Sequence, residues 1–206
     1  MRKILDYLFP NYTCLGCHDE IQESTLKNIC NPCLDALEFA NPTKSGNVHT
    51  PFIYNEILSK MILDLKYSSD GLVAKMLAPF MRVIINPKNY DIVIPIPLHK
   101  LRLLNRGYNQ ATVLALEVFP DIPIWEHILE RHKKTTPQTK DMSADQRHAN
   151  QKDAFLVRYP ELITKKRIIL VDDVVTSGAT TTEAARVLRE AGAKSIHILA
   201  IARVQH

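Results

Sequence analysis

Apolar positions along this chain follow two rhythms, and each predicts a kind of element. Ile57, Leu58, Met61, Ile62 and Leu65 recur at the three- and four-residue spacing of one helix face, and a second helical pattern covers roughly 71–85. Residues 108–118 read as a third helix. Between these patterns, Asp91 is followed by an almost unbroken apolar run to Pro97, which predicts a short strand buried on both faces with prolines at its C-terminal end. Ile122 to Trp125 is strand-like, and 127–152 is polar with the character of a mobile loop.

The last third carries the clearest pattern. Arg167 to Val171 is an apolar strand that ends at Asp172 and Asp173. A short loop leads to a helix whose Ala184, Val187, Leu188 and Ala191 share one face and which Gly192 closes. Ser195 to Ala202 returns as a second buried strand. Strand, helix and strand of these lengths predict a right-handed βαβ unit. The fold class expected is therefore α/β, a mostly parallel sheet with helices on both faces.

The chain opens with Met1, Arg2 and Lys3 and a short apolar stretch, which superficially resembles the start of a secretion signal. Asp6 interrupts that stretch, Pro10 ends it, and no small-residue cleavage site follows. It is expected to pack on the body of the protein. Nothing later approaches the roughly 18 uncharged apolar residues of a membrane span, so no transmembrane segment and a cytoplasmic location are expected. Hydrophobic residues at 46% and charged residues at 23% are ordinary globular composition, so a disordered chain is not expected, and 206 residues suffice for one full domain plus a small module. A net charge of +4 permits an anionic partner without demanding one.

All four cysteines lie in that small module. Cys14 with Cys17, and Cys30 with Cys33, form two C-x-x-C knuckles whose thiolates can close tetrahedrally on one Zn²⁺, leaving no open position for catalysis. Gly16 suits the first tight knuckle and Pro32 stiffens the second. Two disulfides or a redox-active pair are the alternatives. Nothing points to secretion, and a thioredoxin-like motif needs one such pair beside a βαβ unit. Structural zinc in a small ribbon is the reading adopted, with His18 as an exposed neighbour. Residues 1–40 form this module, Asn41 to Gly46 has linker composition, and 47–206 is the main domain.

Ligands of open α/β sheets bind at the carboxyl ends of strands. Here that end carries the acid pair Asp172 and Asp173, then Thr176, Ser177, Gly178, Ala179 and Thr180, then a helix. A glycine-containing, hydroxyl-rich turn at a helix N-terminus cradles a phosphate, and adjacent carboxylates accept hydrogen bonds from sugar hydroxyls. Together they describe a ribose 5-phosphate site. The bland alternative is a capping box of Thr180 and Glu183, which leaves the paired acids unexplained. The segment from His99 to Gln110, with Lys100, Arg102 and Arg106 and no acid, reads as a basic loop after a strand end, suited to a pyrophosphate. A second basic stretch, from Arg131 to Lys140, includes Lys133 and Lys134.

Residues 169–181 resemble the signature of type I phosphoribosyltransferases, which holds phosphoribosyl pyrophosphate (PRPP). The resemblance implies that Asp172 and Asp173 bind the ribose hydroxyls, that Thr176 to Thr180 bind the 5-phosphate, and that Mg²⁺ accompanies the pyrophosphate. Nearly the whole chain resembles the ComF family of competence proteins. The matching segments are the four-cysteine module, Leu65 to Asp70 (with Ser69 in place of a usual glycine), and Pro95 to Gln110. Thr136, Gln138, Arg147, Asn150, Ala154 and Phe155 complete the match. That family is tied to natural transformation, which implies single-stranded DNA and other DNA-uptake proteins as partners. An active transferase with an unidentified acceptor, a PRPP-binding handler of single-stranded DNA at Lys133 and Lys134, and a PRPP-sensing regulator are the readings this leaves. The handler is preferred.

Overall fold

The computed structural model describes residues 13–21, 24–41, 46–68, 71–132 and 151–205. Lys133 and Lys134, the segment 133–150 to which they belong, and Ser69 and Asp70 fall outside the described residues.

A five-stranded parallel sheet organises the main body. β1 (Val48–His49) and β2 (Phe52–Ile53) both pair with β7 (Ser195–Arg203). Next to β7 lies β6 (Arg167–Val175), and β3 (Ile92–Pro95) follows. Because side chains alternate across a strand, the apolar runs of β3, β6 and β7 divide between two cores. Val93, Ile169, Val171, Leu199 and Ile201 face one cluster, whereas Ile92, Ile94, Ile168, Leu170, Ile198 and Ala200 face the other. The near-continuous hydrophobicity of these strands is the mark of a sheet covered on both sides.

Three helices cover the first face. α2 (Glu56–Tyr67) buries Leu58, Met61, Ile62 and Leu65, and its first turn is capped by Asn55, whose side chain accepts from Leu58 N at 3.1 Å. α3 (Leu72–Val83) and α5 (Gln110–Val118) complete this layer. Asn109 caps α5, and its Nδ2 donates to Ile96 O at 3.0 Å, which fastens the helix to the end of β3. α7 (Ala179–Glu190) lies on the second face through Ala184, Ala185 and Leu188. It ends as expected: Gly192 adopts φ +92, and the amides of Gly192 and Ala193 return to Arg189 O and Leu188 O in a Schellman closure. Asp91 and Arg167 tie the starts of β3 and β6 together, with Nη2 to Oδ1 at 2.7 Å and Arg167 N to Oδ2 at 2.7 Å.

Several expected elements change. The basic segment after β3 is not a loop but a helix, α4 (Lys100–Arg106), none of whose residues is buried. Ile122 to Trp125 forms a single parallel bridge, Ile124 to Val93, rather than a strand. The polar stretch beginning at 127 contains β4 (Leu129–Arg131), which pairs antiparallel with β5 (Phe155–Val157). The short α6 (Pro160–Ile163) follows it. β6 does not stop at Val171: it pairs with β7 through Asp172, Val174 and Val175, so the acid pair lies within the strand.

The cysteine segment packs directly on the body. Cys14, Ile29, Cys33 and Leu37 belong to the same apolar cluster as Phe52 and Leu58. Antiparallel bridges at Thr13–Glu20 and Leu26–Ile29, and the helix α1 (Asn31–Asp35) with Pro32 in its first turn, shape the segment. Gly16 is required by space rather than by conformation: a Cβ there would meet Cys33 Cβ and Sγ at 2.9 Å and Ile57 Cγ2 at 3.1 Å. No helix among the described residues is long and apolar enough to cross a membrane.

Candidate functional site

β6 delivers Asp172 and Asp173 to the bottom of a cleft of ≈ 250 Å³ at the carboxyl edge of the sheet. The two residues are 9% and 7% exposed, so both acids are buried. Each carboxylate engages the backbone through one oxygen: Asp172 Oδ1 accepts from Asp173 N at 2.9 Å, and Asp173 Oδ1 accepts from Val174 N at 2.9 Å. Burial, with the charge of Asp173 beside it, pushes the Asp172 carboxyl well above the usual range. Burial acts on Asp173 too, but the ammonium of Lys66, 2.9 Å from Asp173 Oδ2, outweighs it and holds that carboxyl down.

The glycine turn follows. Gly178 adopts φ +74 and serves as the N-cap of α7, which begins at Ala179. Thr180 is therefore inside the helix, and the capping box of Thr180 and Glu183, the bland alternative, does not form. Glu183 instead pairs with Arg186 at 2.7 Å and accepts from Asp153 N at 2.7 Å. The opening amides of α7 have no intrahelical partners and, with the helix dipole, favour an anion. A Cβ at Gly178 would meet only ordinary contacts, the nearest at 3.8 Å, so the turn needs glycine for its backbone. Gly178→Ala is expected to lower stability by about 1 kcal/mol, the cost of a left-handed backbone for a residue with Cβ. Thermal melting of the purified variant measures this, and an unchanged midpoint would remove the backbone argument.

Of the basic residues expected here, Arg102 and Arg106 line the cleft with Thr176 and Thr180. Ser177, Gly178 and Ala179 build the turn itself. His99 caps α4, its Nδ1 accepting from Leu101 N at 3.3 Å, and is not among the lining residues. Lys100 turns away to Glu130, at 3.3 Å, and lines a separate cavity with Leu103, His127 and Tyr159. Two cations that the strand-end motif did not indicate stand in the cleft. Lys66 comes from the end of α2, and Arg131, only 7% exposed, comes from β4. Arg131 donates to Gln151 Oε1 at 2.7 Å and lies over the Phe155 ring. Arg131 opens the second basic stretch and Lys66 lies in the Leu65–Asp70 segment, yet only the fold brings them to the acids. A roomier cavity, ≈ 630 Å³ between Arg82, Tyr90 and Phe119, lies near the opposite end of β3 and has neither acid pair nor glycine turn.

The four cysteine sulfurs all lie within 4.8 Å of one another. Cys17 Sγ and Cys30 Sγ are 3.9 Å apart, against about 3.8 Å between ligands of a tetrahedral Zn–S₄ centre. The amides of Gly16 and Cys30 each point at Cys14 Sγ from 3.3 Å. Burial pushes Cys14 up, but amide donors from Cys30, Cys17 and Gly16 outweigh it and bring it down to about 6. Burial and the neighbouring thiols push Cys33 up. Such a donor set fits a closed zinc site. His18 is not a fifth ligand; its Nε2 meets Asp64 Oδ2 on α2 at 3.0 Å.

A parallel sheet with an acid pair and a glycine turn at the edge of its central strand, behind a four-cysteine module, defines a type I phosphoribosyltransferase-like protein. Residues 103–206 match the phosphoribosyl transferase domain family. The chain belongs to that family, and within it to the ComF group. It is 29% identical over 216 residues to "Competence protein F" of Haemophilus influenzae, covering 96% of this chain and 93% of that one. Identity to "Competence protein ComFC" of Streptococcus pneumoniae is 30% over 155 residues, covering 74% of this chain and 66% of that one. Among solved structures, the allosteric regulatory enzyme of purine biosynthesis superposes with a TM-score of 0.42 at 20% identity. That match covers 67% of this chain, which spans only 29% of the enzyme.

Proposed function

We propose that the cleft binds PRPP and that the chain works in natural transformation, in the handling of incoming single-stranded DNA. One observation carries the first part: a buried acid pair, a glycine turn at the head of α7, and four cations (Lys66, Arg102, Arg106 and Arg131) meet in a single cleft. Asp172 and Asp173 accept from the ribose hydroxyls, the turn from Thr176 to Thr180 holds the 5-phosphate, and the arginines face the pyrophosphate. Mg²⁺ would travel with PRPP and neutralise part of its pyrophosphate charge. Zn²⁺ held by Cys14, Cys17, Cys30 and Cys33 would supply structure and no chemistry. The competence names of the relatives support the second part; a cytoplasmic location and other DNA-uptake proteins as partners belong to the same proposal.

The same residues favour a second reading, an active phosphoribosyltransferase whose acceptor lies outside DNA uptake. Transfer spreads positive charge over the ribose as pyrophosphate leaves, and buried carboxylates below the sugar with cations at the leaving group suit that charge. Pyrophosphate release from PRPP, screened against bases and single-stranded DNA, separates the two. Binding by calorimetry without acceptor-dependent release supports the handler; release with one acceptor supports the enzyme.

The DNA surface has its own test. If Lys133 and Lys134 contact the strand, affinity for single-stranded DNA falls with salt, at a log–log slope of about −0.7 per phosphate neutralised. Replacing both with alanine should flatten the slope by about 1.4 and leave PRPP affinity unchanged. Arg102→Ala with Arg106→Ala should instead weaken PRPP. DNA binding undetectable even at low salt rejects the handler.

A further inference from the structure

Lys66 enters the cleft from α2, not from a strand end, and stands on the one oxygen of Asp173 that the backbone does not engage. Its place in the fold is held from both sides. Asp64 meets His18 Nε2 at 3.0 Å, and the Tyr108 hydroxyl lies 2.7 Å from Leu65 O and 2.8 Å from Ser68 O. The turn that presents Lys66 is thus fastened to the cysteine segment and to the start of α5. The Lys66 side chain is 31% exposed and that of Asp173 11%, so the pair is largely withdrawn from water. An ammonium and a carboxylate in such surroundings are costly to separate unless each finds a new partner.

A vicinal diol that reaches both acids competes with Lys66 for Asp173 Oδ2, the oxygen that the backbone leaves open. A hydroxyl on Asp173 Oδ2 weakens the hold of that carboxylate on the ammonium, in a cleft that Arg102, Arg106 and Arg131 also line, and an anion becomes its better partner. The 5-phosphate is committed to the turn at Gly178, so the anion must come from the other end of the sugar. Ribose 5-phosphate offers only a neutral hydroxyl there, whereas PRPP offers a pyrophosphate.

Resting on the reading of the cleft as a PRPP site, we propose that Lys66 is a counter-ion that changes partner. It holds Asp173 in the unliganded protein and turns to an anionic oxygen on C1 when the diol arrives. This exchange makes the cleft select a 1-pyrophosphorylated ribose 5-phosphate over ribose 5-phosphate itself. Lys66 is a specificity-determining residue on this account, and its effect appears in the ratio of two affinities rather than in either alone.

Calorimetry on the full chain, with PRPP and with ribose 5-phosphate, tests it. Lys66→Met is expected to weaken PRPP and to tighten ribose 5-phosphate, narrowing the preference by about 10- to 100-fold, the worth of one charge-assisted hydrogen bond. Lys66→Arg should keep most of the preference. Equal weakening of both ligands would show a structural role, and equal tightening a mere plug; either overturns the proposal. Wild-type protein that binds neither ligand overturns the reading of the cleft itself, and the proposal with it. A second measurement needs no substitution. In wild-type protein, labelling of Lys66 by an amine-reactive reagent, read by peptide mass, should rise with ribose 5-phosphate and not with PRPP. Labelling indifferent to both ligands in protein that binds them overturns the exchange.

Discussion

Protein carrying Asp172→Asn and Asp173→Asn together is expected to stay folded while its affinity for PRPP falls by about a hundredfold. Asparagine keeps the volume and the oxygen that accepts from the Asp173 and Val174 amides, so the strand is not asked to repack. What changes is the charge facing the diol. Hydrogen bonding to the ribose passes from charge-assisted to neutral, and about 3 kcal/mol, the upper end for a hydrogen bond to a charged group, corresponds to that factor. The single exchanges are expected to differ in stability. The Asp172 carboxyl is raised in the folded state, so its ionisation opposes folding, and the penalty grows as pH rises through the folded value. Asp172→Asn should therefore melt at or above wild type at neutral pH, with the gain vanishing below about pH 4, where the unfolded acid is also protonated. Asp173 is held down by Lys66, so its contribution has the opposite sign: present above the ordinary carboxylate range and lost on acidification. Calorimetry with PRPP and melting curves across pH read both effects. Unaltered affinity in a folded double variant would reduce the acid pair to a feature of the sheet.

How far the chain could be read in advance follows from what each element asks of its residues. β3, β6 and β7 are buried on both faces, so their apolar runs announce them, and the α2 face is announced by its periodicity. Asp172 and Asp173 look like a strand end because carboxylates are depleted in strands. The strand continues because β7 goes on offering partners, at Ala200, Ala202 and Arg203, and that pairing overrides local preference. α4 escaped because a helix that buries nothing leaves no stripe; Leu101, Leu103 and Leu104 all face outward. β4 is only three residues long, too short for alternation to stand out in a polar segment. The site divides in the same way. The acids and the turn are contiguous and could be found by motif, whereas Lys66 and Arg131 reach them from other elements, and nothing local in their sequence says which way they point. Lys100, conversely, sits two residues before Arg102 yet belongs to Glu130.

Loss of the metal is expected to act beyond the cysteine segment. Cys14 and Cys33 share an apolar cluster with Phe52 and Leu58, the first knuckle touches Ile57 through Gly16, and His18 holds Asp64. Four thiols that no longer close on an ion would loosen the surface on which α2 lies, and α2 carries Lys66 into the cleft. Cys30→Ser isolates this effect. Cys30 is the N-cap of α1 and makes no side-chain cap hydrogen bond, while serine is a favourable N-cap, so the helix itself should not suffer. Zinc-finger peptides gain about 10–16 kcal/mol from the metal. Here the segment can open locally, so the global loss is bounded by its packing on the body. A loss of about 3 kcal/mol corresponds to a fall of about 6–12 °C in Tm for a chain of this size. Wild-type protein should hold one Zn²⁺ per chain by metal analysis, and a chelator should bring its melting curve down to that of Cys30→Ser. PRPP affinity should weaken in parallel, because the lysine wall moves with α2. Substoichiometric zinc in freshly reduced protein, with Cys30→Ser melting like wild type, would sink the structural role of the metal. A large fall in Tm with PRPP affinity unchanged would keep that role and sever it from the cleft.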